Sequence, residues 1–280
     1  MQNRRTTALT EQGFPVVEID TSRPHPARMY DYYLGGKDNY EVDREAAQQV
    51  LRLFPDAVPT ALANRAFLRR AVRFVVESGI RQIIDLGTGI PTAPNTHQVA
   101  HQVAPGVRVA YVDNDPTVAA HSAEHLLGAT GTAFFLADVR DPGSILKHPT
   151  ISELIDFDQP VGLMLAAVLH FVGDEEDPAG LVAAYRDALP AGSHLVLSHV
   201  TTDFHPPETG SEQAGEVYRR ARAATTLTPR PYERVLSLFD GFDLVEPGLV
   251  QAPLWRPGYP PPGSREVAHV GMYAGVGVRN

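Results

Sequence analysis

The chain of 280 residues contains no cysteine. That absence excludes disulfides, thiolate nucleophiles, cysteine-ligated zinc and iron–sulfur clusters together. Long apolar runs are also missing. The longest, residues 161–172, is interrupted by His170 and is too short to cross a bilayer. The opening MQNRRTTALTEQGFPVVEID has no apolar stretch of the signal-peptide kind. The expectation is a soluble, cytoplasmic protein with no membrane partner. Positive charge is in deficit, since 24 Lys+Arg face 33 Asp+Glu for a net charge of −9. That balance disfavours a surface built to hold nucleic acid backbones or anionic lipid. Proline is in excess, 24 residues against a usual share of about 5%, which is too many for an all-helical bundle.

Residues 1–23 are polar and aperiodic, and a flexible N-terminus is expected there. Residues 24–40 are dense in aromatics and glycine. Val42, Ala46, Val50 and Leu53 then recur at helical spacing, and Pro55 and Pro59 are expected to end that helix. A second helix is predicted over residues 60–78, with Phe67, Ala71, Val72 and Val75 as its buried stripe. Arg65, Arg69 and Arg73 repeat on another face, read as a solvated face with an acidic-ligand patch as the alternative.

From residue 80 the pattern becomes strand–helix alternation. Strands are predicted at 83–86, 107–112, 132–136, 161–169 and 194–200. Asn95 and Gln98 form a plausible cap pair, and Asp115-Pro116 reads as N-cap plus first helical residue. Such alternation implies a parallel sheet of right-handed βαβ units. In the tail, helices near 212–224 and 232–239 precede strands at 242–246 and 267–278. With no helix between them, those strands suggest an antiparallel edge pair. The proline-rich stretch 253–263 reads as a rigid surface loop. The expected plan is a helical extension or lid over residues 24–78, then an α/β domain over 79–280 with a seven-stranded, mostly parallel sheet.

The chemistry-bearing constellation is Asp85-Leu86-Gly87-Thr88-Gly89, then Asp113, then Asp138. Each acidic residue falls at the carboxyl end of a predicted strand, the edge that lines the ligand crevice of an open α/β sheet. Gly87 and Gly89 permit a tight turn and close approach of a ligand to the backbone. Asp113 is placed to accept from two ribose hydroxyls, and Asp138 from the exocyclic amine of adenine. A dinucleotide fingerprint would need a third glycine, and Thr92 stands there behind Pro91. Pro91 and Pro94 also lack N–H donors for a pyrophosphate. A P-loop is absent, because Gly35-Gly36-Lys37 is followed by Asp38. A carboxylate before the first glycine favours a cation. S-adenosylmethionine, with an amino group, a sulfonium, a ribose and an adenine but no phosphate, fits these constraints.

Four blocks carry a resemblance: Ala27-Arg28-Met29-Tyr30-Asp31-Tyr32-Tyr33-Leu34-Gly35-Gly36-Lys37-Asp38-Asn39, Asp85-Leu86-Gly87-Thr88-Gly89-Ile90-Pro91-Thr92, Tyr111-Val112-Asp113-Asn114-Asp115-Pro116 and Ala167-Val168-Leu169-His170-Phe171-Val172. On these the chain resembles class I, Rossmann-like S-adenosylmethionine-dependent methyltransferases. It is more closely similar to an actinobacterial S-adenosyl methyltransferase family once catalogued as a domain of unknown function. The resemblance runs from about residue 24 to the C-terminus. It implies a Rossmann-like α/β sandwich, S-adenosylmethionine as cofactor, and methyl transfer, by O- or N-methylation, to an acceptor. It further implies that Asp85, Gly87, Thr88 and Gly89 hold the methionine end. Asp113 with Asn114 would take the ribose, Asp138 with Val139 the adenine edge, and Ala167 with Val168 the sulfonium side.

The tyrosine-rich block places Tyr30, Tyr33, Gly36, Lys37 and Asn39 as a lid over cofactor and acceptor, or as a segment packing over the sheet edge. His170, His199 and His205 fall at or past the ends of the fourth and fifth strands. His170 first and His199 second are candidate general bases, the alternative being hydrogen-bonded structural histidines. The pairs His97/His101 and His121/His125 have zinc-like spacing without a flanking base or third ligand, so solvated faces and no metal are expected. The N-P-P-[YFW] tetrapeptide of amino-methylating nucleic acid enzymes is absent, and with the acidic balance this favours a small-molecule acceptor. The alternative function is a non-catalytic S-adenosylmethionine- or nucleoside-binding sensor or partner-binding module. A nicotinamide oxidoreductase is argued against by Pro91 and Thr92.

Overall fold

Five strands, β1 (Gln82–Leu86), β2 (Arg108–Asp113), β3 (Thr132–Leu136), β4 (Gly162–Ala166) and β5 (His194–Val200), run parallel in the spatial order β3-β2-β1-β4-β5. They belong to a computed structural model that describes residues 19–125, 129–206, 211–220 and 226–280. Most of the expected flexible N-terminus lies outside the described residues. Strand order reverses between β1 and β4, which opens a crevice at the carboxyl ends of these strands. β1, β4 and β5 are almost wholly buried, as expected for strands covered on both faces.

The far edge is antiparallel, and richer than expected. β6 (Asp243–Leu244), β7 (Val250–Gln251) and β8 (Met272–Val278) bring the sheet to eight strands. β8 inserts between β5 and β6 and pairs antiparallel with both, while β7 also pairs β8. β8 starts later than the expected strand because residues Ser264–Ala268 form a short helix, with the Glu266 carboxylate accepting from the Gly263 amide at 2.9 Å. β4 stops at Ala166, before the end of its apolar run, because Ala167 turns to φ 57° and Leu169–Phe171 forms a 3-10 turn.

Three helices precede the sheet: α1 (Pro26–Tyr33), α2 (Glu41–Leu53) and α3 (Ala57–Glu77). α1 begins with His25 accepting from the Ala27 amide at 3.3 Å and Pro26 at the first helical position. Asp43 is fully buried in the first turn of α2 and accepts from the amides of His25 and Tyr40, both at 2.9 Å. Arg28 lies 3.2 Å from the same carboxylate and donates to the carbonyls of Asp20 and Arg23, so residues 19–23 are tied to α1. Pro59 does not end a helix. It sits in the first turn of α3, where its missing N–H has no intrahelical partner to lose.

α3 buries Phe67, Ala71, Val72 and Val75 against one sheet face. The proline-rich stretch is not wholly surface. Trp255 is fully buried there, edge-on to Phe67 and Phe74, while Tyr259 is 98% exposed. The other face packs on helix α8 (Pro178–Ala188), through Leu181, Val182 and Tyr185. A third apolar cluster joins α1, α2, the start of α3 and α9 (Ser211–Arg220) through Met29, Val50, Phe54, Ala61, Val217 and Tyr218.

Candidate functional site

The ends of the five parallel strands and helices α1, α2, α3 and α9 line a single cavity. Of the residues expected at a site, Asp85, Gly87, Thr88, Gly89, Asp113, Asn114, Asp138, Val139, Ala167, Val168, Tyr30, Tyr33 and His170 line it. Gly36, Lys37, Asn39 and His199 do not.

The glycine turn is a consequence of backbone geometry and crowding. Gly87 and Gly89 both have φ 67°, a region that side chains with Cβ rarely adopt. A Cβ on Gly87 would lie 2.4 Å from a Val168 methyl. The amides of Gly87 and Thr88 both donate to the Val112 carbonyl, at 2.8 and 3.2 Å. Asp113 clamps the same turn, accepting from the Gly89 amide at 2.8 Å and the Asp115 amide at 2.9 Å. Each of its oxygens retains accepting capacity for a ligand hydroxyl. Burial raises the Asp113 carboxyl above its ordinary range.

Asp85 accepts from the Thr96 hydroxyl at 2.7 Å, and burial pushes its carboxyl up to about 6. It is a buried carboxylate in want of a cation. Asp138 differs. Burial pulls it upward, yet hydrogen bonds from Arg140 outweigh that and hold it below its usual range. Arg140 forks the carboxylate, with Nε to Oδ1 at 2.8 Å and Nη2 to Oδ2 at 2.6 Å. Oδ1 also accepts from the Arg140 amide at 3.0 Å and Oδ2 from Asn114 Nδ2 at 3.4 Å, so each oxygen already has two donors.

Arg65 departs from the solvated face expected of its four-residue series and follows the alternative, a place beside a ligand cavity. It lines the cavity, whereas Arg69 and Arg73 are exposed. Its Nη2 donates to the Thr92 carbonyl at 2.7 Å, and its Nε is buried without a partner. No periodicity separates Arg65 from its neighbours at four-residue spacing. Only the return of the 90–95 loop across α3 does. His25 is a site residue that sequence reasoning missed. It lines the cavity and lies 2.8 Å from Asp115 Oδ2. Asp115 also caps helix α5 (Pro116–His125) as expected, accepting from the Thr117 amide at 2.8 Å.

Gly36, Lys37 and Asn39 wrap around a side chain outside the cavity. Asp31 Oδ2 accepts from the Asp38 amide at 2.9 Å and from Asn39 Nδ2 at 2.7 Å. A Cβ on Gly36 would fall 1.9 Å from Asp31 Oδ1, and Lys37 is exposed. Glycine stands there to accommodate Asp31.

A directional hydrogen-bond chain lies beneath Tyr30. The Ala167 amide donates to Ser198 Oγ at 2.9 Å, and Ser198 donates to Asn64 Oδ1 at 2.6 Å. Asn64 Nδ2 then donates to the Tyr30 hydroxyl at 2.9 Å, which donates to the Ala61 carbonyl at 3.0 Å.

His199 and His170 are buried and engaged in hydrogen bonds. His199 Nδ1 donates to the Val200 carbonyl at 2.8 Å, Nε2 accepts from Arg230 at 2.9 Å, and burial pushes its pKa down to about 3. His170 is buried, which drives its pKa well below the usual value, and Nδ1 accepts from the Val200 amide at 3.4 Å. His205 pairs with Asp56 at 3.1 Å, outside the cavity lining. His97 and His101 are not on a solvated face. Tyr111 bonds His97 Nδ1 at 2.8 Å, and His101 bonds the Val107 carbonyl at 2.8 Å. His121 lies 3.9 Å from Asp38, and the His125 side chain is outside the described residues. Among the described residues no cluster of three or more His, Asp or Glu could hold a metal, and no helix is long and apolar enough to cross a membrane.

Residues 13–280 match the family described as S-adenosyl methyltransferase. A DUF574-family protein from Streptomyces avermitilis is 40% identical, covers 94% of this chain and 100% of its own, and superposes with a TM-score of 0.89. A methyltransferase candidate from Thermobifida fusca is 40% identical over 93% of this chain and 97% of its own, with a TM-score of 0.85. The S-adenosylmethionine-dependent methyltransferase SibL shares the fold at 15% identity, covering 92% of this chain and 66% of its own, with a TM-score of 0.52. No curated protein matches the chain. The glycine turn clamped by Asp113, the buried Asp85 and the match across nearly the whole length lead to one assignment: this chain belongs to the S-adenosyl methyltransferase family, with S-adenosylmethionine as its cofactor.

Proposed function

We propose that the protein transfers a methyl group to a small-molecule acceptor held in the cavity between the strand ends and the helical cap. The observation that carries this reading is the cavity's continuity. One lining joins the Asp85–Gly89 turn and Asp113 to Ala167, Val168 and the apolar faces of α1, α2 and α9. A sensor that bound only the nucleoside would have no need of the second half.

The residues present suit the cofactor. Asp85 offers a buried carboxylate to an ammonium, and the orphaned Arg65 Nε offers a donor to a carboxylate. Asp113 would accept from the ribose hydroxyls. Ala137 and Val139 would edge the adenine, with Asp138 acting through its fork to Arg140. When bound, the cofactor supplies an electrophilic methyl group on a positively charged sulfur.

The chain's own contribution is positioning. Residues 24–78, with α9 added to them, would serve as the lid over the α/β domain of residues 79–280 and exclude water. Ala167 and Val168 would approach the sulfonium side, their backbone fixed by the chain through Ser198, Asn64 and Tyr30. Holding reactants in line can supply several kcal/mol of barrier reduction. His170 and His199 would not serve as bases. His199 Nε2 is occupied by Arg230 and His170 Nδ1 by the Val200 amide. The acceptor's proton would leave to water at the cavity mouth.

Calorimetry with S-adenosylhomocysteine and with a nicotinamide dinucleotide tests the reading. S-adenosylhomocysteine should bind, the dinucleotide should not, and Asp113→Ala should weaken binding at least tenfold. Binding without methyl transfer to any acceptor would favour the sensor.

A further inference from the structure

The three acidic residues at the strand ends are not equivalent acceptors. Asp85 accepts from the Thr96 hydroxyl, and Asp113 from the amides of Gly89 and Asp115. Asp138 is more heavily engaged. The Arg140 amide and Nε reach its Oδ1 at 3.0 and 2.8 Å, and Arg140 Nη2 and Asn114 Nδ2 reach its Oδ2 at 2.6 and 3.4 Å. A carboxylate has about four lone-pair sites, so the protein itself fills Asp138.

Arg140 is also held from a second segment. Its Nη1 donates to Glu176 Oε1 at 3.1 Å, and Glu176 Oε2 accepts from the Gly173 amide at 2.8 Å. The guanidinium is thereby tied to the turn of residues 173–176 as well as to its own loop. Charge-assisted hydrogen bonds are roughly twice as strong as those between neutral groups. The exocyclic amine of adenine is a neutral donor, and to reach Asp138 it would have to displace a forked guanidinium. The neighbouring backbone acceptors are engaged too, the Val139 carbonyl by the Tyr185 hydroxyl at 2.8 Å and the Asp138 carbonyl by the Asp141 amide at 2.9 Å. What this loop offers a base is apolar area: Ala137 and Val139 line the cavity and pack on the core beneath it.

We propose that Arg140 sets the base specificity of this chain by occupying Asp138, so that the cofactor's purine is held by the apolar edges of Ala137 and Val139 and its amine is not read. Asp138 then serves as the anchor of Arg140, and a purine without an amine at the 6-position is accepted in place of adenine. This rests on the placement of the base beside Ala137 and Val139 in the proposed function, and adds what selects it.

The test compares S-adenosylhomocysteine by calorimetry with its 6-desamino analogue, which keeps every ring nitrogen and lacks only the amine. The wild type should bind the two within about threefold of each other, whereas a hydrogen bond from the amine to a charged acceptor would separate them by about tenfold or more. Arg140→Met removes the fork and frees oxygens on Asp138 that can then accept the amine. In that variant the preference for S-adenosylhomocysteine should rise to about tenfold or more. The Arg140 side chain is 41% exposed, so Tm should stay unchanged. A preference of about tenfold or more already present in the wild type overturns the proposal. Equal binding that stays equal in Arg140→Met would instead place the base away from this loop, overturning the underlying placement and the proposal with it.

Discussion

The Ser198 hydroxyl donates a 2.6 Å hydrogen bond to the Asn64 side-chain carbonyl, joining the end of β5 to the middle of α3. Both side chains are buried. The same hydroxyl receives the Ala167 amide, at the one position on β4's exit where a non-glycine residue holds φ 57°. Such backbone persists only where its surroundings over-determine it. Removing the hydroxyl orphans an acceptor on Asn64, which costs about 1–3 kcal/mol. Ser198→Ala should therefore lower Tm by several degrees and weaken S-adenosylhomocysteine. Thermal unfolding and calorimetry on the same preparation check it, and an unchanged Tm would refute the role.

Arg65 should read the carboxylate end of the cofactor. Arg65→Met is expected to weaken S-adenosylhomocysteine at least tenfold while leaving 5′-methylthioadenosine, which has no amino acid moiety, unchanged. Equal losses for both ligands would mean that Arg65 merely holds the 90–95 loop through Thr92.

Cofactor affinity should depend on pH through Asp85. Burial raises its carboxyl to about 6. In the free protein the sign is fixed by that shift: its stabilising contribution is full below the unfolded carboxylate value and fades as pH rises through about 6. A ligand ammonium reverses the preference by favouring the ionised form. Affinity for S-adenosylhomocysteine should climb roughly tenfold per unit as pH rises toward 6, then level off. In Asp85→Asn that climb should vanish. Titrations at pH 5, 6, 7 and 8 decide it.

No histidine should govern turnover. His199 is held to about 3 and His170 well below its usual value, both by burial. The pH profile of kcat should show no inflection near the ordinary histidine value of about 6.5. An inflection there that disappears in His170→Asn would restore His170 as the base.

Much of the scaffold was readable because it is local. Alternating strand and helix periodicity follows from which faces are buried. Asn95 with Gln98 and Asp115 with Pro116 cap their helices through bonds spanning two or three residues, and both are where the sequence places them. The three aspartates read as strand-end residues because each follows an apolar run. The fork that Arg140 makes on Asp138 is local as well, since the two are only two residues apart.

The existence of the five parallel strands, the glycine turn and the acidic residues at the crevice were determined by neighbouring residues alone. Contacts between distant segments needed the closed fold. Arg230 donates to His199, the 90–95 loop turns Arg65 inward, and His25 reaches Asp115 across the chain. The insertion of β8 between β5 and β6 is likewise invisible in periodicity. A hydrogen bond of 3 Å or an ion pair depends on where two elements cross. Spacing along the chain specifies which face a residue occupies, and only packing specifies what that face meets.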